Sequence, residues 1–173
     1  IVSNIKNLKY EIDSFISLAA LREEVVYGNI NRNDLIKHFE VNVVPNVLLI
    51  QALGPIMYQR KWGRIVIGSS VGVKFGGGHS SYCYALTKSC SELIPNIANK
   101  WAENNVLYNI VRIGVTDTRR MRNDGVNKLI KRKKLIPMKR SASPDEIANL
   151  IYFLTSSKNT YITGEILTIA GGE

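Results

Sequence analysis

Short apolar runs alternate with longer stretches of helical spacing along the whole chain, and this alternation restricts the fold more than any other feature. Residues 12–17 (IDSFIS) read as a strand. Over residues 33–62, Leu35, Phe39, Val43, Val47, Ile50, Leu53 and Met57 recur at helical spacing. Pro45 disturbs the first half, because it cannot donate to the carbonyl of Val41. Residues 64–68 (RIVIG) form a buried strand ending at Ser69, and a glycine-rich loop over 72–78 leads to a helix expected over 81–103. Residues 106–113 are a third strand and 165–169 a fourth. Between them, Ser143-Pro144-Asp145-Glu146 is a capping box with proline at the first helical position, opening a helix that runs to about Thr155. Strands that alternate with helices give a mostly parallel sheet with helices on both faces. The chain has 173 residues, no internal repeat and no linker, so it reads as one α/β domain.

The net charge of +9 is localised. Eleven basic residues lie between Arg112 and Arg140 against only Asp117 and Asp124, and the remainder is neutral. A nucleic-acid coat would be basic throughout. Here one segment, of weak helical character, carries the excess.

The apolar stretches around Val43 to Leu53 are interrupted by Pro45, Asn46 and Gln51, so no membrane span is expected. Cys83 and Cys90 fall in one helix, roughly 10 Å apart by helical rise, too far for a disulfide. Two free thiols fit a reducing compartment, and the protein reads as cytoplasmic. His38 and His79 are the only histidines, and no cluster has metal-ligand spacing, so no metal site is expected. The chain begins at Ile1, so it reads as processed or as lacking its beginning.

Tyr84 and Lys88 are four apart on the helix that follows the strand RIVIG, so they share one face, about 6 Å apart at Cβ. An ammonium beside a phenol favours the phenolate, which suits a tyrosine to general acid/base work. Ser69-Ser70 lies at the carboxyl end of the preceding strand, where functional groups gather in parallel sheets.

Five segments in register make the chain resemble the short-chain dehydrogenase/reductases. GRIVIGSSVG is similar to the family's serine strand, YALTK to its Tyr-x-x-x-Lys helix, and FEVNV to the segment with its active-site asparagine. IGVTDT is similar to the turn under the nicotinamide, and SPDEIANLIYFLTS…YITGEILTIAGG to the C-terminal segment. The resemblance implies a Rossmann-like, doubly wound fold and an NAD- or NADP-dependent interconversion of an alcohol and a ketone. It makes Tyr84 the proton donor and acceptor. Lys88 lowers the tyrosine pKa and holds the nicotinamide ribose, Ser69 hydrogen-bonds the substrate oxygen, and Asn42 holds a water of the proton relay. Cofactor contacts fall to Ser17, Ala19, Tyr84, Lys88, Ile113, Gly114, Thr116 and Thr118. The family's serine is followed by glycine three residues on, which selects Ser69 over Ser70. Its usual separation from the tyrosine lands on Tyr82, which has no lysine four residues on. Tyr84 is therefore taken, with a loop two residues longer. Ser17-Leu18-Ala19-Ala20 stands where the family has Asn-Asn-Ala-Gly, and Ile113 replaces a proline.

The family's glycine-rich phosphate turn and first strands would precede Ile1. The chain thus reads as the C-terminal two-thirds of such an enzyme, expected alone to be inactive, to bind cofactor poorly and to aggregate through an unpaired apolar edge at residues 12–17. The family resemblance also implies a homodimer or homotetramer. Leu93, Ile94, Ile97, Ala98 and Trp101 form the expected interface, with an intrachain core as the alternative. The segment after IGVTDT is a mobile lid in the family, so the basic residues there imply an anionic small-molecule substrate, such as a nucleotide-linked sugar or an acyl carrier. Two other readings compete: nucleic-acid binding through residues 119–140, and a catalytically degenerate scaffold. The run has no interleaved aromatic residue, and Asn42, Ser69, Tyr84 and Lys88 are all present, which weighs against each in turn. Gly68-Ser69-Ser70-Val71-Gly72 imitates a hydrolase nucleophile elbow, but no histidine follows Asp117 to complete a triad.

Overall fold

Val66, Ile67, Ile110 and Val111 have no exposed surface, as the apolar runs of the two central strands require. The computed structural model describes residues 11–119, 121 and 126–173. Its sheet is parallel throughout, in the order β1 (Ser14–Ser17), β2 (Gly63–Ser70), β3 (Val106–Ile113) and β4 (Ile166–Ile169). Ser17 pairs with Ile67, and Ser70 with Ile113, so the carboxyl ends of three strands open on one edge. Among the described residues β1 is an edge strand, with Ile16 44% exposed.

Helices cover both faces. Ile65, Ile67, Tyr108 and Ile110 pack with Ile50, Leu53, Met57 and Trp101 on one side. On the other side Val66 and Val111 pack with Ile147, Ile151 and Leu154. Each such buried aliphatic side chain contributes on the order of 2 kcal/mol. The first face carries α1 (Arg32–Asn42) and α2 (Val44–Gln59), and the second carries α6 (Pro144–Thr155). Asn31 caps α1 reciprocally with Asp34, and Ser143 caps α6 with Glu146 as the sequence implies.

The expected single helix over 33–62 divides at Val43, because Pro45 is accepted only in the first turn of a new helix. Together with Val43 between them, α1 and α2 make a 28-residue stretch, Arg32–Gln59, long and apolar enough by composition to cross a membrane. This corrects the expectation that no stretch reaches that length. In this fold α2 instead lays Ile50, Leu53 and Met57 against the sheet, and Gly54 allows Trp101 to close on it. A Cβ at Gly54 would stand 2.0 Å from the Trp101 ring.

The helix expected over 81–103 is broken into α3 (Tyr82–Cys90) and α4 (Asn96–Trp101). Pro95 cannot donate to the carbonyl of Ser91, and Glu92 turns its side chain inward. The break leaves a cavity of about 400 Å³ between α2 and α4, lined by Val47, Ile50, Leu93, Ile97 and Trp101 among others. Of the expected interface residues, Leu93 is 78% and Ile97 49% exposed, while Ala98 and Trp101 belong to the core. The basic stretch forms α5 (Val126–Leu135). The expected contributions of Arg120, Arg122, Asp124 and Lys128 side chains lie outside the described residues.

Candidate active site

Lys88 is buried in α3, and its Nζ reaches over the end of β2 to donate to the Gly68 carbonyl at 2.6 Å. Burial pulls its pKa down to about 8. Tyr84, one turn earlier and half-buried, has its ring centroid 6.0 Å from that nitrogen. The expected tyrosine–lysine pair is therefore a spatial pair at the open edge of the sheet. The Arg22 guanidinium lies over the same ring at 5.7 Å.

Asn42 ends α1 with no exposed surface. Its Oδ1 accepts from the Leu21 N–H at 2.6 Å, and its Nδ2 donates to the Leu21 carbonyl at 2.9 Å and to Thr87 Oγ1 at 2.8 Å. Its own carbonyl accepts from Asn46 Nδ2 at 2.9 Å and Ser91 Oγ at 3.3 Å. That carbonyl oxygen thus has two protein donors among the described residues. Asn42 ties α3 to the loop after β1, and so positions the tyrosine–lysine helix.

Ser69 departs furthest from expectation. It is buried and donates from Oγ to Glu92 Oε1 at 2.6 Å. Arg112 closes on the same carboxylate with Nε at 2.7 Å and Nη2 at 2.6 Å, and its own pKa rises in consequence. A serine held by a buried carboxylate cannot offer its proton to a substrate without leaving that carboxylate short of a donor. Ser70, on the opposite face of the strand, is half-buried at the mouth, where its Oγ accepts from the Gly72 N–H at 3.1 Å and caps a 3₁₀ turn, Val71–Phe75. The two-residue period of β2, which groups Ser69 with Ile65 and Ile67, carried this information in the sequence.

The remaining cofactor candidates ring the same edge. Ser17 ends β1 and donates to Asn46 Oδ1, and Ala19 is exposed beyond it. Ile113 ends β3, and Gly114 sits so close to Ala170 that a Cβ would stand 2.6 Å from its Cα. Thr116 bridges to Ala142 and donates to the Gly114 carbonyl at 3.2 Å, while Thr118 stands exposed past the bridge. The basic segment is less free than its sequence implies. Glu92, Glu173 and Glu146 hold Arg112, Arg132 and Arg140, leaving Lys131, Lys134 and Lys139 exposed.

A nicotinamide dinucleotide fits this edge by one test. Among the described residues the Lys88 ammonium makes a single hydrogen bond, to Gly68, and an ammonium carries three donors. The remaining donors suit the hydroxyls of a ribose.

A doubly wound parallel sheet with tyrosine and lysine one turn apart at its carboxyl edge defines a Rossmann-type oxidoreductase site. The chain belongs to the short-chain dehydrogenase/reductase family, a family of NAD(P)-dependent oxidoreductases: a family model described as enoyl-(acyl carrier protein) reductase matches residues 1–173. A 3-oxoacyl-[acyl-carrier-protein] reductase FabG of Aquifex aeolicus (strain VF5) is 33% identical over 171 residues, covering 97% of this chain and 68% of that protein. Carbonyl reductase family member 4 of Xenopus laevis is 30% identical over 97% of this chain and 69% of its own length. A 3-oxoacyl (acyl-carrier-protein) reductase from Agrobacterium tumefaciens C58, solved with NADP bound, superposes with a TM-score of 0.88 at 26% identity, covering 99% of this chain and 68% of that one. The chain spans about two thirds of the length of these relatives.

Proposed function

We propose that this chain carries the catalytic and substrate-facing part of an NAD(P)-dependent reductase that interconverts a ketone and an alcohol on a 3-oxoacyl group, with an acyl carrier as the anionic substrate. The observation that carries the reading is the buried Lys88 beside Tyr84 at the mouth of β2. The nicotinamide, when bound, supplies or accepts the hydride.

Tyr84 gives its hydroxyl proton to the ketone oxygen as charge develops there, and takes it back in the reverse direction. Lys88 stabilises the resulting phenolate by proximity and holds the ribose hydroxyls. Ser70, rather than Ser69, orients the carbonyl from the strand mouth, while Asn42 fixes α3 so that both helix residues face that opening. Among the expected cofactor contacts, Ser17, Ala19, Ile113, Gly114, Thr116 and Thr118 border the nicotinamide end. Exposed Lys131, Lys134 and Lys139 favour an acidic carrier over a neutral one.

Residues 1–173 act as one domain within the full-length protein, which works in the cytoplasm with Cys83 and Cys90 reduced. It assembles as a homodimer or homotetramer through the α2–α4 face, where Val47, Leu48, Leu93 and Ile97 are exposed. The test is oxidation of NADPH or NADH by the full-length natural protein with an acetoacetyl thioester. Turnover lost in Tyr84→Phe supports the reading, and no turnover with either nucleotide overturns it.

A further inference from the structure

Two buried groups of opposite charge stand four residues apart at the end of α3, and among the described residues no ion pair joins them. Lys88 sends its Nζ to the Gly68 carbonyl, while Glu92 sends its carboxylate to Ser69 Oγ, on the next residue of the same strand. The chain keeps turning between them: the Ser91 N–H donates to the Thr87 carbonyl at 3.1 Å and the Glu92 N–H to the Ser89 carbonyl at 3.0 Å. Ser69 Oγ also lies 3.5 Å from the Lys88 carbonyl, so both residues bear on one spot of β2. Such a spacing brings a lysine and a glutamate within reach, and their attraction is stronger in a buried site than in water.

Arg112 keeps them apart. It stands opposite Ser69 in the β2–β3 register and closes on both oxygens of Glu92, with Nε 2.7 Å from Oε1 and Nη2 2.6 Å from Oε2. With Ser69 Oγ also on Oε1, three donors occupy the carboxylate. A planar guanidinium fills a carboxylate with two parallel bonds, which an ammonium does not. The lowered pKa of Lys88 has burial as its cause, with no opposing lift from the carboxylate. The other groups around Lys88 are Tyr84 on its own helix and Arg22 across the Tyr84 ring. The neutral Asn42 side chain, bonded to Thr87, and the Gly68 carbonyl complete them. None of these is an anion.

Resting on the reductase reading above, we propose that Arg112 is a positioning residue that keeps Glu92 from capturing Lys88, so that the lysine's spare donors stay available to the nicotinamide ribose. Without the fork, the carboxylate turns to Lys88 and draws the ammonium off the ribose.

The test uses the full-length natural protein with Arg112→Met, Glu92→Gln and both changes together. Dissociation constants for NADPH and NADH are read from nucleotide fluorescence, and stability without nucleotide from urea midpoints. In the parent, folded Lys88 releases its proton at about 8 and the unfolded chain near 10.5, so stability rises with pH between these values. Arg112→Met weakens nucleotide binding about tenfold. It also flattens that rise, because a free carboxylate beside Lys88 favours the charged ammonium. Adding Glu92→Gln removes the captor and restores both properties, although the ion pair stays broken. Glu92→Gln alone binds nucleotide as the parent does.

A pair that only braced the fold would leave the double variant as impaired as Arg112→Met. Equal weakening in those two, or parental binding in Arg112→Met, overturns the inference. If Arg112→Met does not fold, Arg112→Lys decides: one carboxylate oxygen is left short of a donor, and binding falls about threefold. Parental binding there, or a loss that Glu92→Gln does not reverse, is equally fatal. If the parent binds neither nucleotide, the reductase reading fails by itself, and the stability measurements still decide whether Glu92 captures Lys88.

Discussion

Ser69 Oγ and Glu92 Oε1 are joined by a 2.6 Å hydrogen bond inside the protein, with Arg112 bidentate on the same carboxylate. The bond links the end of β2 to the break between α3 and α4, and takes Ser69 out of the mouth that Ser70 borders. Ser69→Ala should therefore cost about 1–2 kcal/mol of stability, read from urea midpoints, and change turnover little. Ser70→Ala should lower kcat by about a hundredfold with an unchanged melt. The opposite pattern would return the substrate contact to Ser69.

Tyr84→Phe removes one oxygen from a half-buried side chain whose ring still packs. The far-ultraviolet spectrum and melting temperature should stay close to those of the parent, while ketone reduction by the full-length protein drops at least about a hundredfold. Retained turnover would mean that another group donates the proton.

Burial holds Lys88 at about 8, against an ordinary value of 10.5. Between these values the unfolded chain keeps a proton that the folded one has released. Stability therefore rises with pH across roughly 8 to 10.5, and below 8 the cost of burying the charge is fully present. The rise is no more than about 3 kcal/mol. Measured without nicotinamide, the stability of the parent relative to Lys88→Met should climb through that window; a flat difference would contradict the burial.

Gly54 faces the Trp101 ring across a gap with no room for a methyl group. Gly54→Ala should destabilise by about 1–3 kcal/mol as α2 and α4 are pushed apart. Thermal melts would show it, and a variant as stable as the parent would mean that the helices separate freely.

Reversal of charge at Lys131 and Lys134, both exposed on α5, should raise KM for a carrier-bound acyl substrate several-fold at low salt, and less at high salt. Arg132 is left out because it is paired with Glu173. An unchanged KM would disconnect α5 from the substrate.

Much of the fold was legible because its signals are local. The residues of β3 are the apolar run itself, and Ser143 with Glu146 marks the start of α6 without help from the rest of the chain. The tyrosine–lysine pair was legible for the same reason, since four residues of helix fix its geometry. The break at Pro95 was harder to read: helical spacing continues through it, and the inward turn of Glu92 depends on Arg112 from a strand twenty residues away.

The sequence by itself determined the order of strands and helices, the caps and the place of Tyr84 and Lys88 on one helical turn. Tertiary structure decided which serine faces the opening, which arginines of the basic segment are already neutralised, and that Arg22 lies over Tyr84. These depend on pairs such as Ser69 with Glu92 and Asn42 with Leu21, far apart in the chain and brought together only when helices close on the sheet. Local propensity carries no record of them, because the free energy that selects each partner exists only once both are buried.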